Sequence, residues 1–244
     1  VLAAHLCPSS APHSALHATI GRVRAEDPTR SAAWRLDNVR TSIAFLTIQS
    51  AQRPPHPTGG WQRSRRDRVG ELLARLPGAY WPDQYNNPDN PAGYLALGRE
   101  ITDQFQHLDV LVCSVGTGGH GAGIAPVVRE RWPHIRIVGF DSTDSTVFGQ
   151  PAAHRLMRGL GSSIHPDNVA YDIFDEVHWI GPAEALDACR RLAAGSFVTG
   201  GWSTGAVALA AAWCARELDS DLMCAVFPDG PHRYWQSWCS ASGT

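Results

Sequence analysis

Lysine is absent: all 21 basic residues of this 244-residue chain are arginine. For surface charge the exchange changes little, and a GC-rich genome that favours arginine codons accounts for it without a functional cause. At a catalytic amine the absence matters far more, because a guanidinium stays protonated and does not form an ordinary Schiff base with an aldehyde. No side chain of this sequence supplies a reactive primary amine.

Long apolar runs are lacking too. The longest alanine-rich stretch, Ala206 to Ala215, falls far short of the roughly 20 residues that cross a bilayer, so no membrane span is expected. The first residues lack the basic start and apolar run of a secretory signal, and the chain opens on Val1 without methionine, so the true start is expected to lie outside it. A net charge of −2 gives no electrostatic reason to expect nucleic acid or an anionic membrane as partner. The six cysteines, Cys7, Cys113, Cys189, Cys214, Cys224 and Cys239, include no C-x-x-C pair; free thiols in a reducing cytoplasm are expected, and the cytoplasm is the expected location. His107, His154, His165 and His178 show no metal-ligand spacing, so no metal site is expected.

What is present is an ordinary globular composition, 43% hydrophobic and 18% charged, long enough to bury a sizeable core. Residues 1–58 show no helical or strand period and are broken by Pro8, Pro12, Pro28, Pro54, Pro55 and Pro57. From Gly59 the pattern changes. Val69, Leu72, Leu73 and Leu76 recur at helical spacing among arginines, and Pro77-Gly78 follows as a stop, which predicts a helix over Trp61 to Leu76. Its Arg63 to Arg68 cluster reads as a solvated helix face. Beyond it, strands are predicted over Leu108 to Val115, Ile135 to Phe140, Phe197 to Thr199 and Leu222 to Phe227, with helices over Ala122 to Trp132, Ala183 to Ala194 and Thr204 to Leu218. This alternation predicts an α/β fold, a three-layer, mostly parallel sheet covered by helices. Trp81, Trp132, Trp179, Trp202 and Trp213 read as packing residues, since no basic groove accompanies them.

Directly after the first of those strands comes Gly116-Thr117-Gly118-Gly119-His120-Gly121-Ala122-Gly123, opening onto a helix. Glycines let the backbone turn tightly and aim amide hydrogens at an anion, and the helix dipole adds positive potential, so a phosphate cradle is the natural use. The same run fits G-x-G-x-x-G, with Asp141 about 20 residues on, so a dinucleotide-binding domain of Rossmann type is an alternative. Against it, a large part of the chain precedes the motif. Gly201-Trp202-Ser203-Thr204-Gly205 matches the G-x-S-x-G elbow of serine hydrolases, followed by Asp229 and His232. Those two lie on one loop, whereas the acid and base of such enzymes come from separate loops.

Taken in order, several segments resemble the cysteine synthase and cystathionine β-synthase family of fold-type II pyridoxal-phosphate enzymes. Asp83-Gln84-Tyr85-Asn86-Asn87-Pro88-Asp89-Asn90-Pro91 is similar to the family's Q-[FY]-x-N-P-x-N-P stretch, with Arg99-Glu100-Ile101 where its E-I helix lies. The glycine run resembles its G-T-G-G-T loop, His120 replacing the final threonine. Val138-Gly139-Phe140-Asp141 through Ser145 resembles V-G-V-E-P-x-x-S, and Arg158-Gly159-Leu160-Gly161 resembles Q-G-I-G. Asp175-Glu176-Val177, Gly201 to Ala206, and Pro228-Asp229-Gly230 through Arg233-Tyr234 complete the series.

The resemblance covers about residues 59 to 244 and implies a tryptophan synthase β-like fold. It implies an irregular remnant of the small N-terminal domain over 1–82 and a large cofactor-binding domain over 83–244. It implies that Gly116, Thr117, Gly118, Gly119 and His120 hold the phosphate of pyridoxal phosphate, and that Ser203 faces its pyridine nitrogen. A neutral hydroxyl there suits β-replacement and β-elimination on serine-like amino acids. It also implies a homodimer.

Two family segments have no counterpart: S-x-K-D-R, which supplies the Schiff-base lysine, and T-S-G-N-T-G, which grips the substrate carboxylate. Pro8-Ser9-Ser10 resembles the start of the latter, but Ala11-Pro12-His13 departs from it. Any cofactor is therefore expected to bind non-covalently, and the implied activity is expected to be absent or impaired, with no catalytic residue assigned. A truncated or frame-disturbed copy is one expectation. A pseudoenzyme or partner subunit that binds phosphate ligands is another, and a lysine supplied by a second chain is a third.

Overall fold

The computed structural model describes residues 19–22, 46–47, 54–157, 159–195, 200–218 and 222–228. The chain divides into two compact units, with the division between Asp83 and Gln84.

In the N-terminal unit, strands β1 (Thr19–Arg22), β2 (Leu46–Thr47) and β3 (Ala79–Tyr80) form an antiparallel sheet in the order β2-β1-β3. Helix α1 (Gly60–Arg75) precedes β3, and Val69 is its one buried residue. Gly78, at φ +76°, turns the chain after the helix into a conformation that side chains with a Cβ resist. The arginine cluster is not wholly a solvated face. Arg66 forms a two-pronged ion pair with Asp83, at 2.5 and 3.2 Å, and its guanidinium lies 4.8 Å over the Trp81 ring. A planar fork that pairs with a carboxylate can stack on an aromatic at the same time, which a lysine does less well.

The C-terminal unit is a three-layer α/β/α sandwich. Helices α2 (Asp89–Gly93) and α3 (Leu95–Gln104) lead into β4 (Val110–Ser114), α4 (Gly119–Arg131) and β5 (Arg136–Ser142). A 3-10 turn (Tyr171–Ile173), β6 (Glu176–Ile180), α5 (Pro182–Ala194), α6 (Trp202–Glu217) and β7 (Met223–Ala225) follow. The four strands are all parallel, in the order β6-β5-β4-β7. All five residues of the central β4 are buried, as a strand covered on both faces requires. The period of two then sorts them: Val110 and Val112 pack with Ala206, Val207 and Ala210 of α6, whereas Leu111 and Cys113 pack with Ile124, Ala125 and Val128 of α4.

The predicted elements occur with shifted ends. Helix α4 starts at Gly119 rather than Ala122, because the glycine run itself supplies the first turn, and α6 starts at Trp202 rather than Thr204. Pro182 at the first position of α5 and the Glu184 carboxylate accepting the Gly181 N–H at 2.7 Å account for that helix's start. The strand expected at Phe197 to Thr199 lies outside the described residues. Strand β6 carried no apolar signal because it is an edge strand whose Glu176, His178 and Trp179 are not buried; Trp179 is 40% exposed, so it is not the packing residue expected. Cys113, Cys189, Cys214 and Cys224 are free and buried, and burial pushes the thiols of Cys113, Cys214 and Cys224 up from their ordinary range. Cys7 and Cys239 lie outside the described residues. No helix among the described residues is long and apolar enough to cross a membrane.

Candidate functional site

In a parallel sheet the helices run against the strands, so their N-termini collect at the carboxyl edge. Here α4 leaves β4 on one face of the sheet, while α6 enters β7, on the other side of β4, from the opposite face. The chain thus diverges to both sides of β4, and a crevice at the carboxyl ends of strands is expected at such a switch point. The loop from Val115 to Gly118 lies there.

Crowding explains why that loop is glycine. Gly118 caps α4 at φ +86°, and a Cβ on it would come within 2.6 Å of the Asn168 carbonyl oxygen and the Val169 Cα. A Cβ on Gly116 would come within 2.8 Å of the Gly159 carbonyl, and one on Gly119 would meet the Asn90 side chain. The first intrahelical bond of α4 runs from the Ala122 N–H to the Gly118 carbonyl, so the amides of Gly119, His120 and Gly121 have no partner within the helix. Unpaired amides at a helix N-terminus attract an anion.

Two asparagines hold the surroundings in place. The Asn90 amide donates to the Gln84 carbonyl at 2.5 Å and to the Thr117 hydroxyl at 3.3 Å. The Asn168 amide donates to the carbonyls of Gln84 and Asn87, both at 2.9 Å, and its backbone N–H donates to the Tyr85 carbonyl at 3.1 Å. On the far side the Gly161 N–H donates to the Val115 carbonyl at 2.8 Å, closing the Gly159–Gly161 turn, both glycines at positive φ, onto the loop. The Q-Y-N-N-P and G-L-G segments are therefore the walls of the glycine loop. Sequence reasoning leaves Asn90 inside a motif without a role, and it misses Asn168, which no local pattern marks.

Three buried polar atoms near this edge have no hydrogen-bond partner: His120 Nε2 in the first turn of α4, Trp202 Nε1 at the start of α6, and Asp141 Oδ2 near the end of β5. Burial holds the His120 imidazole down at about 4, so the ring is neutral at pH 7. Burial pushes Asp141 up to about 6, opposed by hydrogen bonds from Ser145 and Ser142 and by the Arg155 charge. Asp141 is 0% exposed, and its Oδ1 accepts the Ser142 N–H at 2.7 Å. It cannot present a carboxylate to a ribose, which removes the observation that favoured a dinucleotide. Ser203, 3% exposed, sits inside the first turn of α6, unlike the solvent-facing nucleophile of a hydrolase elbow. Asp229, His232 and Arg158 lie outside the described residues.

The structure therefore brings Gly116, Thr117, Gly118, Gly119 and His120 together as one loop and helix start, and places Ser203 at the start of the helix on the opposite face. Among the described residues no three His, Cys, Asp or Glu side chains gather as metal ligands.

Residues 48–229 match the model of a family described as pyridoxal-phosphate dependent enzyme. The N-(2-amino-2-carboxyethyl)-L-glutamate synthase of Cupriavidus metallidurans is 41% identical over 62% of this chain and 45% of its own. The cysteine synthase of Staphylococcus aureus is 33% identical over 64% of this chain and 52% of its own. The chain spans about half the length of the curated relatives it matches. Among solved structures, the O-acetylserine dependent cystathionine β-synthase of Helicobacter pylori superposes with a TM-score of 0.65 at 30% identity, covering 72% of this chain and 57% of the other. With that fold, that glycine loop and a family match over most of its length, the chain belongs to the pyridoxal-phosphate dependent enzymes, and within them it is similar to cysteine synthases and their fold-type II relatives.

Proposed function

We propose that this chain binds pyridoxal phosphate without attaching it, and that by itself it does not carry out the β-replacement or β-elimination on serine-like amino acids that the family resemblance implies. The observation that carries this is the coexistence of a glycine cradle built by backbone crowding, at Gly116, Gly118 and Gly119, with a sequence in which no lysine occurs.

The residues present fit one end of the cofactor and not the other. The amides of Gly119, His120 and Gly121 and the Thr117 hydroxyl hold the phosphate, and the Ser203 hydroxyl faces the pyridine nitrogen. When bound, the group would serve as an electron sink for an amino acid's Cα carbanion. At the aldehyde end the fit fails: no lysine amine exists to bond the aldehyde carbon or to move the Cα proton, so no catalytic step is open to this chain alone. A site complete at the phosphate and the ring nitrogen alone is a binding site for the phosphorylated pyridine, and this favours a binding protein or partner subunit over a self-sufficient synthase. In the same proposal residues 1–82 are what remains of the small domain, residues 83–244 are the large domain, the protein works in the cytoplasm, and it pairs as a homodimer.

The test mixes purified chain with pyridoxal phosphate. The cofactor is expected to be retained through a rapid desalting column, lost on dialysis, and not fixed to any internal peptide by borohydride, as read by mass spectrometry. Cysteine formation from O-acetylserine and sulfide is expected to stay at the uncatalysed rate. Sustained turnover by the purified chain, or a borohydride-fixed internal adduct, would overturn the proposal.

A further inference from the structure

Resting on the phosphate site proposed above, we infer that Asn90 is a positioning residue of that site: its side-chain amide fixes the Thr117 hydroxyl as a hydrogen-bond donor and so reserves the hydroxyl hydrogen for a phosphate oxygen.

The donor and acceptor roles follow from what each atom can do. Asn90 Nδ2 lies 2.5 Å from the Gln84 carbonyl oxygen and 3.3 Å from Thr117 Oγ1. A main-chain carbonyl only accepts, so the end of the amide that faces Gln84 is its NH2 group and not its oxygen. The same nitrogen offers its second hydrogen to Thr117, and there the hydroxyl accepts. With a lone pair of Oγ1 taken by Asn90, the single hydroxyl hydrogen is directed away from Asn90. Among the described residues nothing accepts that hydrogen, and Thr117 is only partly buried, so a ligand can reach it.

The amide is held against turning over. Asn90 belongs to α2, and its side chain rests against the first residue of α4, where a Cβ on Gly119 would run into it. The Gln84 carbonyl that it grips is gripped again by the Asn168 amide at 2.9 Å. A flipped Asn90 would set its own oxygen against that carbonyl and leave it unpaired. Asn168 braces the same wall through Gln84 and Asn87 but makes no bond to Thr117, so orienting the hydroxyl falls to Asn90.

An unheld hydroxyl spreads its hydrogen over three staggered positions and accepts as readily as it donates. Held by Asn90, it donates outward, which suits a fully ionised phosphate monoester, whose free oxygens only accept. The ordering is then complete before the ligand arrives, and a hydroxyl that is itself accepting a hydrogen bond is a stronger donor. Asn90 acts through Thr117 and does not itself touch the phosphate.

The probe is pyridoxine 5′-phosphate, which has the ring and phosphate but no aldehyde, titrated calorimetrically into the whole chain at about pH 7.5, where the phosphate is mainly dianionic. T117V, close to threonine in shape, is expected to weaken binding about twentyfold through loss of one charge-assisted hydrogen bond, and N90A about fivefold. The deciding measurement is N90A in the T117V background: with no hydroxyl left to orient, it is expected to cost no more than about 1.5-fold beyond T117V alone. In T117S, which keeps a hydroxyl, N90A should again cost about fivefold. A cost of N90A that persists undiminished in T117V would mean that Asn90 serves only the wall at Gln84, and it overturns the inference while leaving the phosphate site standing. Wild-type affinity in T117V or in N90A overturns it as well. Absence of binding by the wild type overturns the phosphate site and this inference with it. Should N90A fail to fold, N90S is taken through the same set of backgrounds.

Discussion

Helices α4 and α6 both open at the carboxyl edge, on opposite faces of one sheet, and their first turns are built from different materials. Around the start of α4 the neighbours come from loops: the Asn168 carbonyl against Gly118, the Gly159 carbonyl against Gly116, the Asn90 side chain against Gly119, and asparagine amides that tie the walls together. Around the start of α6 the neighbours belong to α5, where a Cβ on Gly205 would meet the Ala185 carbonyl and lie 2.5 Å from the Cys189 sulfur. The first arrangement leaves amides unpaired for a ligand. The second brings two helices close and buries two hydroxyl side chains, Ser203 and Thr204. Glycine serves both, but in α4 it shapes a site and in α6 it permits packing.

Substitutions separate the two uses. G118A has the largest expected effect: a Cβ at φ +86° and within 2.6 Å of backbone should cost about 4 kcal/mol in urea unfolding and abolish phosphate binding. A cost below about 1 kcal/mol would show that the walls are not held as described. G205A should cost about 3 kcal/mol by forcing α5 and α6 apart, with phosphate affinity within about twofold of wild type. A loss of binding as large as that of G118A would erase the distinction between the two helix starts.

D141N comes next and tests the edge through pH. Burial raises the folded-state value of Asp141 to about 6 from 3.8, so the native state holds the proton more tightly than the unfolded one. Its contribution is fully present below about pH 4 and is lost as pH rises through about 6, a change of roughly 2 to 3 kcal/mol. D141N should flatten that part of the pH–stability profile and leave the mutant more stable relative to wild type at pH 7 than at pH 4. An unchanged slope would place the carboxylate in water. S203A is expected to be the mildest, costing about 1 kcal/mol for a lost buried hydrogen bond and weakening pyridoxine 5′-phosphate binding by about fivefold. Inorganic phosphate, which has no ring, should bind S203A and wild type alike.

Much of this layout is legible in the residues. Val110–Ser114 and the helices on either side of it announce themselves by continuous apolar runs and helical spacing. The glycine run announces itself because only glycine tolerates those turns. What stays hidden has weak local signal: α2 is five residues with two of them Asp89 and Asn90, and β6 is a polar edge strand. Asn168 is hidden for another reason, since its partners Gln84 and Asn87 are more than 80 residues away in sequence.

The chain's chemistry divides along the same line. By itself the sequence determined that a glycine loop follows an apolar strand and that no lysine is available, because backbone freedom and side-chain identity are local properties. Only the tertiary structure decided that His120 is a neutral ring with a sealed, unpaired nitrogen, that Asp141 is a buried acid, and that asparagines brace the loop. Those depend on desolvation and on carbonyls brought from distant segments, and neither exists until the chain is packed.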